Sequence, residues 1–433
     1  MCRAPPPTSF IVTVKSRLAR NSTYQRTVFT RPSGTISGPS SGARTGPASP
    51  DIPPAPAASN AQARARQEEH KMPESELVVD PARIRQFGDP TDTVFCLVTN
   101  ASLLDDIRLV RTAPYLDYRI LEFRGGEDEF ARLMREEVPE QAHVLVMSPD
   151  CFFQSPPVDV LGPRRKLLGM ACNSTPTDRA TLRHFLRCVE ATDPQAQEDF
   201  SDRFFELAER GETLEYHDAR HGTVATLRLF DRELVWNQQA GLVGWGEQQI
   251  VPAGEISVLP IEIREFEDYL RLPLDGEIVI QGYPILHSGT PSFSRRDQER
   301  IHSELWPLHE YAVVCRVENG LITEMTSPEP PGHAIVEMFE ALFQVDSRYR
   351  IVWEIGHALN TTLDLLPGNH AMNEVYGSTQ GCLHWGIGLT PFTQYHLDII
   401  SPGTFVTNDQ GDVLLGTRIP SAMPLKSPVG LAN

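Results

Sequence analysis

TVFCLVTN at residues 93–100 indicates the fold class, together with HVLVMSP at 143–149 and KLLGMACNS at 166–174. Each stretch is a short apolar run, rich in Val and Leu, that ends in turn residues. This pattern is typical of buried β-strands. The three runs therefore predict the central strands of one sheet.

Helical patterns lie between and after these strands. EFARLMREEV at 129–138 has apolar residues at helical spacing, and DRATLRHFLRCVEA at 178–191 follows Pro176 and Thr177, which form a good helix start. Strands that alternate with helices predict an α/β fold whose sheet is at least partly parallel. We assign this N-terminal α/β domain to residues 93–215.

Residues 216–433 show many short strand patterns separated by Gly, Pro and Asn-Gly turns, with one helix predicted at HAIVEMFEALF (333–343). Asn319-Gly320 lies between two of the strand patterns and predicts a hairpin. We therefore expect a C-terminal α+β domain with a curved, mostly antiparallel sheet. The strand patterns are TVATLRLF (223–230), EISVLPIEI (255–263), GEIVIQGYPIL (276–286), YAVVCRVENGLITEM (311–325), RIVWEIG (350–356) and GTFVTND (403–409).

The first 71 residues differ in composition from the rest of the chain. They are rich in Pro, Ser, Ala, Gly and Arg, and no acidic residue precedes Asp51. Such a segment cannot form a hydrophobic core, so we expect residues 1–71 to be a disordered tail. The alternatives are a chain start at Met72 and an organelle transit peptide.

Composition and charge restrict the classes of partner. A formal net charge of -18 argues against nucleic acid and against an anionic membrane surface, because both require a basic face. The chain has no apolar run of the roughly 20 residues that a membrane span needs. Its seven cysteines are odd in number and scattered, which predicts reduced thiols and a cytoplasmic protein.

Four short segments of the C-terminal half contain residues able to bind metal. His396 and Asp398 lie at alternate positions of the predicted strand in QYHLDII, so both side chains point to one face and can reach one ion. Glu255 in PAGEISVLP and Glu354 in VWEIGHALN lie in apolar runs, where an ionised carboxylate is costly unless it is paired or metal-bound. His384 lies in GCLHWGIG. Together the five residues offer the oxygen and nitrogen donors that zinc, manganese, cobalt and iron prefer.

These segments resemble the metallo-aminopeptidases typified by aminopeptidases T and S, which are related to the iron-dependent 2,5-dihydroxypyridine dioxygenase. The resemblance covers about residues 93–415. PAGEISVLP resembles the family's P-x-x-E-V-x-x-x-P segment, HWGIG its H-I-A-L-G segment, and YHLDI its I-H-W-D segment. HGTVATLRL and CNSTPT resemble two upstream segments. The resemblance implies that Glu255, Glu354, His384, His396 and Asp398 are metal ligands, and that the chain forms a homodimer.

The chain also departs from the aminopeptidases. The segment between His384 and His396 is shorter, and Pro391 replaces an expected tyrosine, for which Tyr376 or Tyr395 could substitute. In length the chain is closer to the dioxygenase. It therefore combines the ligand set of the peptidases with the chain length of the dioxygenase.

Three functions follow as hypotheses. The first is a two-metal hydrolase (Zn, Mn or Co) that removes the N-terminal residue of a peptide or cleaves a small amide, with Glu354 or Glu374 as general base. The second is a non-catalytic peptide-binding protein on the same fold, for instance in natural-product biosynthesis. The third is a ring-cleaving dioxygenase with one Fe(II) held by Glu354, His396 and Asp398.

Overall fold

The computed structural model describes residues 76–151, 153, 155–170, 177–260, 270–288, 294–360, 363, 381–388 and 392–417. The predicted tail at 1–71 lies outside them. Within the described residues the α-helices are α1 (Glu127–Glu136), α2 (Val158–Leu161), α3 (Arg179–Ala191), α4 (Pro194–Ala208), α5 (Arg295–Leu305) and α6 (His333–Val345). The strands are β1 (Leu77–Val79), β2 (Val94–Thr99), β3 (Ile107–Leu109), β4 (Asp117–Glu122), β5 (Ala142–Met147), β6 (Arg165–Met170), β7 (Thr213–Asp218), β8 (Thr223–Arg228), β9 (Val235–Gln239), β10 (Gln248–Val251), β11 (Glu255–Leu259), β12 (Leu274–Ile280), β13 (Tyr283–Ser288), β14 (Val313–Glu318), β15 (Leu321–Thr326), β16 (Val352–Ala358), β17 (Cys382–Ile387), β18 (Tyr395–Pro402), β19 (Thr404–Asn408) and β20 (Val413–Leu415).

The three strands predicted from the apolar runs lie at the centre of a five-stranded parallel sheet with the order β10-β6-β5-β2-β4. All six residues of β5 are buried, which explains its unbroken apolar pattern. Phe130 of α1 and Phe185 of α3 belong to the same buried cluster as Leu97 and Leu145 of the sheet. The predicted α/β class and partly parallel sheet are confirmed.

The fifth strand of this sheet comes from a later part of the chain. β10 pairs with β6 in parallel, and Gln248 lies opposite Leu167. The parallel sheet is therefore not built from residues 93–215 alone. The chain leaves the first sheet after β6, forms β7 to β9 elsewhere, and returns for one short strand.

The remaining large sheets are antiparallel. One has seven strands in the order β15-β14-β12-β8-β7-β19-β20. Its β14–β15 hairpin turns at Asn319 and Gly320, whose φ angles of 48° and 76° are the left-handed values that an Asn-Gly turn supplies. The predicted hairpin and mostly antiparallel arrangement are confirmed. A separate two-stranded parallel sheet pairs β1 with β3.

The sheet that carries the candidate site has six antiparallel strands in the order β13-β18-β17-β16-β11-β9. It shares one buried cluster with the seven-stranded sheet, to which Tyr216 of β7, Ile278 of β12 and Trp385 of β17 belong. The indole nitrogen of Trp385 donates to the carbonyl oxygen of Val279 at 3.2 Å. This contact fixes β17 against β12. Among the described residues, no helix is both long and apolar enough to cross a bilayer.

Candidate metal centre

Four neighbouring strands of the six-stranded sheet bring the five predicted ligands together. Glu255 begins β11, Glu354 lies in β16, His384 in β17, and His396 and Asp398 in β18. Antiparallel pairing places Gly356 opposite His384 and Gly386 opposite Asp398. Residues that are distant in the sequence thus meet because their strands are adjacent in the sheet.

The glycines opposite these ligands leave room for the side chains. A Cβ atom added at Gly356 would lie 2.6 Å from Nδ1 of His384 and closer still to Cε1 and Nε2. One added at Gly386 would lie 2.7 Å from Cβ of Glu354 and 3.1 Å from Oδ1 of Asp398. A side chain at either position would therefore push a ligand out of place.

The ligand atoms form two adjoining groups. Glu255, Glu354 and His384 make the first group, and Glu354, His396 and Asp398 make the second, with the donor atoms of each group all within 4.8 Å of one another. Nε2 of His396 lies 3.1 Å from Oδ1 of Asp398 and 3.4 Å from Oε2 of Glu354. Nε2 of His384 lies 3.6 Å from Oε1 of Glu255 and 3.8 Å from Oδ1 of Asp398. Glu354 is the residue that the two groups share.

The predicted ligands are largely buried, so the charges of their side chains must be compensated within the site. His384 and Asp398 are only 2% and 3% exposed, and Glu255 is also buried. Burial alone would raise the pKa of Asp398, but the neighbouring imidazoles hold it well below its usual range. Burial would lower the pKa of His396, but the carboxylates of Asp398 and Glu354 hold it well above its usual value. Three carboxyl groups in one buried space repel one another unless cations lie between them.

The hydrogen bonds of the cluster fit a metal centre. Nδ1 of His396 donates to the carbonyl oxygen of Gly388, which leaves Nε2 to face the carboxylates. Histidine ligands of metals are commonly oriented in this way. Oδ1 of Asp398 accepts no hydrogen bond within the described part of the chain, although two imidazole nitrogens lie near it. Carboxylate oxygen with imidazole nitrogen is a donor set that suits zinc, manganese, cobalt or iron.

Two solved structures resemble the fold at low identity. "2,5-Dihydroxypyridine dioxygenase" from Pseudomonas putida KT2440 is 13% identical, with a TM-score of 0.43 over 84% of this chain and 99% of that chain. "Wild-type AmpT" from Thermus thermophilus is 12% identical, with a TM-score of 0.40 over 77% of this chain and 95% of that chain. No protein-family model matches this chain, and no curated protein matches it. TM-scores of 0.43 and 0.40 are too low to assign a function or a family to this chain. Membership of the aminopeptidase family stays a prediction.

One residue of the cluster was missed by the sequence analysis. Nε2 of His287, in β13, lies 3.3 Å from Oδ2 of Asp398. The predicted strand GEIVIQGYPIL ended at Leu286, one residue before this histidine. A polar residue at the end of an apolar strand is a weak sequence signal for a functional side chain, and His287 gave that signal.

Tyr395 does not face the metal cluster. It precedes His396 in β18, so the two side chains point to opposite faces of the sheet. Its hydroxyl donates to Oδ2 of Asp297 at 2.9 Å, and burial raises its pKa to about 12. Tyr395 therefore does not substitute for the expected tyrosine. Glu374, Tyr376, Pro391 and most of CNSTPT lie outside the described residues.

Proposed function

We propose that this protein is a metal-dependent hydrolase that removes the N-terminal residue of a peptide or cleaves a small amide at a two-metal centre. The observation that carries the proposal is the pair of adjoining ligand groups that share Glu354. Each group supplies at least one carboxylate and one imidazole. A shared carboxylate is the arrangement expected where two ions lie side by side.

Each side chain has a proposed role. Glu255 and His384 would hold one ion and His396 and Asp398 the other, and the carboxylate of Glu354 would face both. Two such ions, when bound, lower the pKa of a water molecule and polarise a scissile carbonyl group. Glu354, at the junction of the groups, is the carboxylate that we propose as the proton acceptor. Backbone and glycine contacts keep His396 and His384 oriented for this purpose.

The one-iron alternative explains fewer of these contacts. A ring-cleaving dioxygenase would use Glu354, His396 and Asp398 and leave Glu255 and His384 without a role, although both are buried beside the same carboxylates. Peptide binding without catalysis also leaves the grouping of three carboxyl groups unexplained. The two-metal hydrolase is therefore the function that accounts for all five residues.

The test is hydrolysis by the full chain loaded with Zn²⁺, Mn²⁺ or Co²⁺, using aminoacyl anilides, dipeptides and small amides. We expect cleavage that a chelator abolishes, and a loss of at least about 100-fold in Glu354→Gln, the lower end for losing a general base. His333→Ala, at an exposed histidine, is the matched control and should stay active.

A chain that binds metal but cleaves none of these substrates would contradict the proposal. Oxygen consumption with Fe²⁺ and a dihydroxypyridine would favour the dioxygenase, and peptide binding without turnover would favour the non-catalytic alternative. Sedimentation would test the homodimer, which stays a prediction.

A further inference from the structure

We propose that His287 is a positioning residue that holds one oxygen of Asp398 so that the other faces the metal ions. This inference rests on the proposed metal centre and assigns a role to a histidine outside the predicted ligand set. His287 touches the cluster through Asp398, and no ligand role is assigned to it.

Strand pairing places His287 beside the centre. In the antiparallel β13–β18 pair, His287 lies directly opposite His396, so the two side chains share one face of the sheet. Their rings are stacked, with centroids 6.1 Å apart and an interplanar angle of 25°. Asp398 lies two residues beyond His396 and therefore on that same face.

The two oxygens of Asp398 have different neighbours. Nε2 of His287 lies 3.3 Å from Oδ2, whereas Nε2 of His396 lies 3.1 Å from Oδ1. Oδ1 is also the oxygen that lies near His384, between the two ligand groups. The Nε2–H of His287 donates to Oδ2 and thereby limits rotation of the carboxyl group. Oδ1 is then left to bind metal.

A residue that donates a hydrogen bond to a metal ligand affects the metal affinity of the site without binding the ion. A ligating carboxylate whose outer oxygen accepts a hydrogen bond is fixed in orientation, and removal of the partner typically costs about 10- to 100-fold in metal affinity. His287 is the described residue whose donor faces the outer oxygen of Asp398. Its side chain is 20% exposed, against 4% for that of Asp398, so His287 lies nearer to solvent than the carboxyl group that it contacts.

The experiment compares full-length wild type with His287→Ala, His287→Gln and His333→Ala. Cobalt affinity is measured by chelator competition, and the number of imidazole ligands by X-ray absorption. Thermal unfolding of the metal-free proteins shows whether each variant folds. Glutamine carries an amide N–H at a reach similar to that of Nε2 of histidine, so it keeps the donor while removing the imidazole.

We expect His287→Ala to bind cobalt about 10- to 100-fold more weakly, and His287→Gln to recover most of that loss with an unchanged imidazole count. His333→Ala should match wild type. Wild-type affinity in His287→Ala, or one imidazole fewer in His287→Gln, would overturn the positioning role while leaving the metal centre intact. Wild-type protein that binds no cobalt would overturn both proposals.

Discussion

Replacement of Gly356 by alanine tests whether the close approach of two strands creates the metal centre. The added Cβ atom would lie 2.6 Å from Nδ1 of His384 and nearer still to two other ring atoms. Ordinary contacts of a Cβ atom begin at about 3.4 Å, so the ring must retreat by at least about 0.8 Å. Metal–ligand distances tolerate only about 0.2 Å. We therefore expect His384 to be lost as a ligand.

The effect should be selective for one ion. His384 belongs to the group with Glu255 and Glu354, whereas the group of Glu354, His396 and Asp398 does not need it. Elemental analysis after dialysis should show Gly356→Ala with about one ion per chain against about two in wild type. The metal-free variant should also unfold about 1–3 kcal/mol more easily in urea, because an extra carbon atom overpacks a buried site.

Gly244→Ala is the matched control for this experiment. The Cβ atom added at Gly244 meets the carboxylate of Glu247, which is the far end of a flexible side chain outside the metal cluster and accepts a hydrogen bond from the Gly244 N–H at 2.9 Å. This variant should keep both ions. If Gly356→Ala also kept both ions at wild-type affinity, the inferred crowding of His384 by β16 would be refuted.

Three further predictions concern the core, acid stability and metal linkage. Leu145→Ala, in the fully buried β5, should lower the free energy of unfolding by about 2–5 kcal/mol in urea titrations without changing metal content. Burial lowers the pKa of His143 to about 3, so the folded chain keeps this imidazole neutral while the unfolded chain binds a proton below about pH 6.5. The free energy of unfolding should thus fall as the pH drops below about 6.5. His143→Gln should reduce the slope of the free energy of unfolding against pH by about 1.4 kcal/mol per pH unit. An unchanged slope would contradict a neutral, buried His143. Free metal at about 100 times its Kd should add about 2.7 kcal/mol per site to the free energy of unfolding, and a wild-type melting temperature that is insensitive to chelator would contradict a metal centre.

The local signals in the sequence were sufficient for most strands. The runs around Leu97 and Leu145 are apolar because both faces of the parallel sheet are covered, and Asn319-Gly320 supplies the φ angles of its hairpin. Alternation in β18 placed His396 and Asp398 on one face, and their ligand atoms lie 3.1 Å apart. These features depend on residues that are close in the sequence.

Other features depend on strand order, which local patterns do not specify. β11 and β17 are buried at every position, so they show no alternation from which the orientation of Glu255 or His384 could be inferred. The return of β10 to the first sheet is set by parallel pairing with β6. His287 reaches Asp398 because β13 pairs with β18, although the two strands are far apart in sequence.

The metal content of the full chain distinguishes a two-metal centre from the alternatives. Elemental analysis should find about two divalent ions per wild-type chain and about one in the His396→Ala, Asp398→Ala double variant, because the group of Glu255, Glu354 and His384 remains. The His333→Ala control should match wild type. Folded wild-type protein that holds no divalent ion after loading, or a double variant that keeps both ions, would exclude a two-metal centre formed by these five residues.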